Sequence, residues 1–154
     1  MSTEFVMRSI GVIHTPFSET RGMPIQPAFS DAGGQVEVLA EYADGLQDLE
    51  KFSHVILVYA LHRSNGYALR VRPFLDEVTR GLFATRHPCR PNPIGLSIVR
   101  LVSRRDNVLD VEGIDVLNGT PLLDIKPYVP DFDSHPGARA GWYDSRPADK
   151  EGRS

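Results

Sequence analysis

The sequence predicts an all-β protein: a closed or nearly closed barrel of short strands with one or two short helices. Three observations predict it. Six or more short runs are apolar throughout or alternate apolar with polar, as buried and half-buried strands do. Between them lie turn residues, drawn from 13 glycines and 12 prolines. The helical patterns of about 10–15 residues that a doubly wound Rossmann-type sheet places between strands are absent. A chain of 154 residues is sized for a single core.

The elements follow in order. Ile10-Gly-Val-Ile13 reads as a strand that ends at Thr15-Pro16. After the Gly33-Gly34 turn signal, the run from Gln35 to Leu39 alternates, with Val36 and Val38 on one face and Gln35 and Glu37 on the other. Tyr42, Leu46 and Leu49 recur at helical spacing, and Asp44 with Gln47 reads as a capping box, so a short helix is expected there. Val55 to Leu61 is too short and too β-branched for a typical helix and reads as a strand buried on both faces. Leu69 to Phe74, Gly81 to Thr85 and Leu96 to Val102 are further strands. The last of these forms a hairpin with Val108 to Glu112 through the turn Arg104 to Asn107. Ile114 to Leu117 and Leu122 to Ile125 flank a turn at Asn118-Gly119. Residues 5–130 are read as the barrel domain. Residues 131–154 are read as an extended C-terminal arm, partly disordered, whose large apolar residues are Phe132, Trp142 and Tyr143.

Composition excludes several classes. With 41% hydrophobic and 24% charged residues the chain is not disordered throughout, collagen-like or a coiled coil. The single cysteine, Cys89, allows no internal disulfide and no cysteine-rich zinc site, which fits a reducing cytosol and a cytoplasmic location. The first eight residues do not read as a signal peptide. The run from Val55 to Leu61 falls far short of the ~18–20 residues that span a bilayer. The five histidines, His14, His54, His62, His87 and His135, make no metal-binding pattern, so no metal is expected. Walker, Gly-x-Gly-x-x-Gly and Gly-x-Ser-x-Gly motifs are missing.

The formal net charge of -3 conceals an uneven distribution. From Arg63 to Arg105 there are nine arginines and only two acids, Asp76 and Glu77, a local balance of +7. Arginine favours planar, bidentate recognition of phosphate and carboxylate, so an anionic partner is one reading. The other is a solvated face whose arginines pair with acids elsewhere in the chain. Inside this segment lies its most unusual stretch, Gly81 to Gly95. Pro88, Pro91 and Pro93 stiffen the backbone that displays Arg86, His87, Arg90 and Asn92, and preorganised donors lose little entropy on binding.

Six blocks taken together resemble the TsaA-like (TrmO) family. They are Ile10-Gly-Val-Ile13, Gln26-Pro27, Leu49-x-x-Phe-Ser-His54, Phe83-Ala-Thr-Arg86, Arg90-Pro-Asn-Pro-Ile-Gly95 and Gly119-Thr-Pro-Leu-Leu-Asp-Ile-Lys-Pro-Tyr128. The likeness runs from about Ile10 to Pro130, and the last two blocks are its most specific. It implies an S-adenosylmethionine-dependent methyltransferase on a β-barrel, a homodimer with cofactor sites near the subunit interface, and a tRNA substrate. The reaction it implies is methylation of N6 of N6-threonylcarbamoyladenosine beside the anticodon. Carried over by motif, the cofactor contacts are Gln26, Pro27, Ala28, His62, Arg63, Arg86, Leu96, Asp115, Val116, Leu117 and Asn118. Three positions depart from the family pattern: His87 stands where serine is frequent, Arg63 follows His62 where glutamine is usual, and Asn118 replaces an aspartate. Longer members carry a C-terminal domain that helps to hold tRNA, for which this sequence has no counterpart. Asp124 and His62 are both candidates for the catalytic base, and Arg72, Arg90 and Lys126 for RNA phosphates. Two alternatives stand beside this reading: a non-catalytic RNA- or nucleotide-binding barrel, and a methyltransferase with a different substrate.

Overall fold

A computed structural model describes residues 3–18, 32–74 and 76–145. Six antiparallel strands close into a barrel: β1 (Gly11–His14), β2 (Gly33–Val38), β3 (His54–Ala60), β6 (Ile94–Arg105), β7 (Val108–Glu112) and β8 (Thr120–Pro127). Around the wall the order is β1-β2-β7-β6-β3-β8, and β8 returns to β1. A separate two-stranded hairpin, β4 (Arg70–Val71) and β5 (Arg80–Gly81), stands beside it.

Alternation along the strands builds the core. Val36 and Val38 of β2, Val55, Leu57 and Tyr59 of β3, Val99 and Leu101 of β6, and Leu109 and Val111 of β7 all turn inward. Closure is helped by two irregularities, at Val58/Tyr59 against β8 and at Leu101/Ser103 against β7. Bulges of this kind increase local twist and bend a strand round a barrel corner. Strand β3 is not buried on both faces as expected. Its outer residues Ile56, Val58 and Ala60 are half-buried, because no helix layer covers the wall.

The chain between β2 and β3 differs from the expected helix. It forms two 3₁₀ turns, Ala40–Leu46 and Leu49–Lys51, and no side chain caps either. Asp48 between them takes a left-handed φ of 73°, which interrupts any longer helix. The apolar spacing still serves packing, since Leu46 and Leu49 both reach the core and plug this end of the barrel.

Three expected strands also change. Leu69 to Phe74 is reduced to the two residues of β4, and Gly81 to Thr85 is mostly a 3₁₀ turn, Leu82–Ala84. Ile114 to Leu117 makes no ladder. Gly113, at φ 84°, turns the chain out of β7, and Ile114 and Val116 then drop into the open end of the barrel. The β6–β7 hairpin is present as expected, with its turn at Asp106 and Asn107. The described part of the C-terminal segment, up to Ser145, holds two single-turn helices, α1 (Pro130–Asp133) and α2 (Trp142–Ser145). Trp142 anchors the second: its indole N–H donates to the Ala84 carbonyl at 2.6 Å, and the Arg80 guanidinium sits 5.9 Å from its ring.

Gly95 shows how tightly the wall is fitted. It pairs with Tyr59, and a Cβ placed there would come within 2.2 Å of the Tyr59 ring. The ring cannot swing aside freely, because its hydroxyl is bonded to Ser97. Gly95→Ala is therefore expected to lower folding stability by ~1–3 kcal/mol in urea denaturation, as overpacking does. An unchanged midpoint would show that Tyr59 does not rest on Gly95.

Candidate functional site

One end of the barrel is closed by the 3₁₀ turns; loops converge on the other. The end of β3 delivers Leu61, His62 and Arg63, and the Leu61 N–H donates to the Pro93 carbonyl at 2.7 Å. That bond joins the β3 end to the proline-rich loop. The Arg63 guanidinium reaches the Ser18 carbonyl at 3.1 Å, which ties in the chain after β1. From the β7–β8 connection, Asn118 accepts the Thr15 N–H through Oδ1 at 3.0 Å, and the Thr15 hydroxyl donates to the Val116 carbonyl at 2.8 Å. Gly119, at φ 84°, makes the turn into β8. These loops form one mouth.

Inside the mouth lies a chain of buried polar groups. The Ser97 hydroxyl donates to Asp115 Oδ1 at 2.6 Å. Its single proton is then committed, so the Tyr59 hydroxyl, 2.8 Å away, is the donor to Ser97. Ser97 and Thr120 are nearly inaccessible, and Asp115 is 9% exposed. Burial pushes the Asp115 carboxyl up to about 6, against the Ser97 hydrogen bond and the charge of Arg86, both of which favour the anion. Burial, followed by the nearby Asp115, raises the Tyr59 phenol well above its ordinary value, so it remains neutral. Arg86 is exposed on the proline-rich loop, and its charge acts on both groups.

The loop itself is held from within. The Arg90 Nη1 donates to the Thr85 and His87 carbonyls, each at 2.9 Å, and its guanidinium lies 5.8 Å from the Phe83 ring. Arg90 is thus a brace of the loop. The Cys89 N–H donates to His87 Nδ1 at 3.2 Å, a further local tie.

Most of the residues suggested by motif meet here. His62, Arg63, Arg86, Asp115, Val116, Leu117 and Asn118 all belong to the mouth. Leu96 does not share their surface: its side chain lies on the outer wall of β6, in register with Val58, while its neighbour Ser97 points inward. Asp124 is on that same outer wall, also in register with Val58. It accepts the Ile125 N–H and pairs with Lys126 at 3.3 Å. Gln26, Pro27 and Ala28 lie outside the described residues. Tyr59 and Ser97 carry no motif and were not among the expected site residues. The signal available for Ser97 was a hydroxyl at an inward position of an apolar strand. Among the described residues no group of three or more metal-ligating side chains occurs.

A closed antiparallel barrel whose loops converge over a buried carboxyl, with the charge of an exposed guanidinium reaching it, is an architecture distinct from the Rossmann sheet. The family model for the tRNA-methyltransferase O N-terminal domain matches residues 12–134, and the chain belongs to that family. It is 54% identical, over 88% of its length and 74% of the other's, to a Pyrococcus abyssi protein named "Probable S-adenosyl-L-methionine-binding protein". It is 39% identical to the Escherichia coli tRNA (adenine(37)-N6)-methyltransferase, over 95% of this chain and 67% of that one. The crystal structure of TrmO from Pseudomonas aeruginosa superposes with a TM-score of 0.77 at 38% identity, covering 90% of this chain and 62% of that one. The chain therefore spans less than two thirds of that solved structure. Among the described residues no helix is long and apolar enough to cross a membrane.

The titration of Asp115 has a measurable consequence. An unfolded aspartate titrates near 4, so the fold binds this proton more tightly than the unfolded chain does. Its contribution to stability is complete below about pH 4, is lost as pH rises toward about 6, and levels off above. Asp115→Asn removes the titration and keeps an acceptor for Ser97. Across that window the variant should gain on the native chain by up to ~3 kcal/mol in thermal or urea unfolding. A difference that stays constant with pH would show that Asp115 titrates normally.

Proposed function

We propose that this chain is an S-adenosylmethionine-dependent methyltransferase that acts on N6 of N6-threonylcarbamoyladenosine next to the anticodon of tRNA, in the cytoplasm. The observation that carries this reading is the convergence of Arg86 and the buried Asp115 on one loop-built mouth, in a chain of this family. The donor set fits the cofactor. An exposed guanidinium suits the carboxylate of its amino-acid moiety, a buried carboxyl beside it suits the ammonium, and the half-buried Leu117, next to Val116, offers apolar contact to the adenine. Within this reading Gln26, Pro27, Ala28, His62, Arg63, Arg86, Asp115, Val116, Leu117 and Asn118 hold the cofactor. Residues 5–130 are the catalytic barrel domain and residues 131–154 its C-terminal arm, whose Trp142 bonds the Ala84 carbonyl.

S-adenosylmethionine supplies an electrophilic methyl group carried on a sulfonium. The chain's task is to hold the accepting N6 in line with it and to exclude competing geometries. The stiff proline-rich loop, braced by Arg90, fixes Arg86 before binding. Transfer of that methyl group to N6 would break its bond to sulfur, leaving a neutral thioether, and would require N6 to give up its proton. His62, exposed at the mouth, is the group we assign to receive it. Asp124 is already bonded to Ile125 and Lys126 on the outer wall, which disfavours it for that task.

Leu96 fits a homodimer. Together with Ile94 and Ile98 it makes an exposed apolar row on the outside of β6, continued by Ile56, Val58 and Ala60 of β3. A second copy covering this row would bring Leu96 into a shared site.

Two measurements test the reading. In calorimetric titration the intact chain should bind S-adenosylmethionine, and Arg86→Ala should weaken binding by ~1.5–3 kcal/mol, the cost of losing a charge-assisted hydrogen bond. Wild-type affinity in the variant would reject the placement, and the absence of binding at millimolar cofactor would reject the function. In sedimentation the native chain should run as a dimer and Ile98→Lys as a monomer; a native monomer would reject the interface.

A further inference from the structure

The β4–β5 hairpin is not part of the barrel and takes no part in the mouth's hydrogen bonds described above. Its exposed surface is unusual. Tyr67, Phe74 and Phe83 are 57%, 82% and 74% exposed, and Leu69 and Val78 are exposed as well. Large apolar side chains clustered on one excursion mark an interaction surface. Between residues 52 and 75 there is no acidic residue, whereas Arg63, Arg70 and Arg72 all fall there. Neither Arg70 nor Arg72 makes an ion pair among the described residues.

The hairpin's two faces differ. Val71 pairs with Arg80, whose guanidinium lies against Trp142 and bonds Asp76 at 2.7 Å, so that face is anchored to the arm. Asp76 is thereby neutralised, and Glu77 is the remaining acid of the hairpin loop. On the opposite face Arg70 and Arg72, two residues apart, both project to solvent. Arg70 pairs with Gly81, and a Cβ placed at Gly81 would meet nothing within 4 Å. The Leu82 N–H donates to the Leu69 carbonyl at 2.8 Å, which extends the pairing one step beyond Arg70 and Gly81. The hairpin region thus carries exposed aromatic rings and two arginines that make no ion pair among the described residues, and the chain runs from it directly into the loop that carries Arg86.

We propose that this hairpin surface is a platform for single-stranded RNA, on which bases stack against Phe74 and Tyr67 while Arg70 and Arg72 engage phosphates. The inference rests on the tRNA reading above and adds where the RNA is held. The chemistry favours a nucleic acid over a protein partner: every base presents a flat face to an aromatic ring, and clustered arginines without acids complement a polyanion. The hairpin's continuity with the Arg86 loop would lead a base from the RNA toward the mouth.

The test uses the intact chain and a fluorescent anticodon stem-loop RNA, with fluorescence anisotropy for RNA affinity and calorimetry for S-adenosylmethionine. The double variant Tyr67→Ala/Phe74→Ala should bind the RNA roughly tenfold or more weakly, from the usual worth of base–aromatic stacking. Its cofactor affinity should equal that of the native chain, which also shows that it is folded. The double variant Arg70→Gln/Arg72→Gln should flatten the dependence of log K on log salt by about one to two. Native RNA affinity in the aromatic variant would overturn the placement alone. A native chain that binds cofactor but no RNA would overturn the tRNA reading beneath it. Variants that change the sedimentation coefficient and leave RNA affinity untouched would assign the hairpin surface to a second copy of this chain.

Discussion

The mouth depends on one chain of hydrogen bonds, Tyr59 to Ser97 to Asp115. The loop after β7 has no ladder to hold it, because Gly113 has already turned the chain out of the sheet. Bonds to the chain beside β1 and β2 hold its edges, and Asp115 adds the buried tie across the barrel. Its carboxyl crosses to Ser97 on β6, and Ser97 in turn takes the Tyr59 hydroxyl from β3. Three separate pieces of chain are locked in one buried contact, and Gly95 leaves room for the Tyr59 ring. Buried polar groups cost free energy unless every partner is present, so this network fixes one arrangement of the mouth. Ile114 and Val116 then seat on either side of Asp115 and close the barrel's end.

Electrostatics divide the nine arginines of the middle segment by task. Arg80, Arg100, Arg104 and Arg105 pair with Asp76, Glu112, Glu50 and Asp110. For Arg100, Arg104 and Arg105 the plainer expectation, a solvated face balanced by acids elsewhere, is the right one, while Arg80 pairs within the segment. Arg63 and Arg90 act on backbone carbonyls and hold loops in place. Arg86 stands on the proline-rich loop, where its charge reaches the buried Asp115, and Arg70 and Arg72 make no ion pair among the described residues. A net charge of -3 therefore coexists with a locally basic middle segment, because most of the acids lie elsewhere in the chain.

The barrel was legible where one strand carries its own signal. Val36 and Val38 alternate against Gln35 and Glu37, and the β6–β7 hairpin announces its turn. Ile114 to Leu117 misled because an apolar run can fill a barrel end as well as a strand; only its neighbours decide which. The capping box at Asp44 misled because Asp48 takes a left-handed backbone that local pattern does not reveal. Motifs drew attention to Arg86 and Asp115, and the fold brings the charge of the first to the carboxyl of the second. The internal wiring of the mouth was not legible: Tyr59 and Ser97 are 38 residues apart, and Ser97 and Asp115 are 18 apart, so their contacts exist only once the register is set. Arg90 looked like a ligand donor in the sequence, yet its planar guanidinium satisfies two carbonyls of its own loop.

The central claim is that the loop-built mouth, and not another surface, receives the cofactor. The most direct measurement is an amide-resolved NMR titration of the intact chain with S-adenosylmethionine. Shifts concentrated at residues 61–64, 85–87 and 113–119, with the 3₁₀ turns Ala40–Leu46 and Leu49–Lys51 unmoved, are the predicted result. Saturable binding whose shifts leave the mouth unchanged would contradict the account.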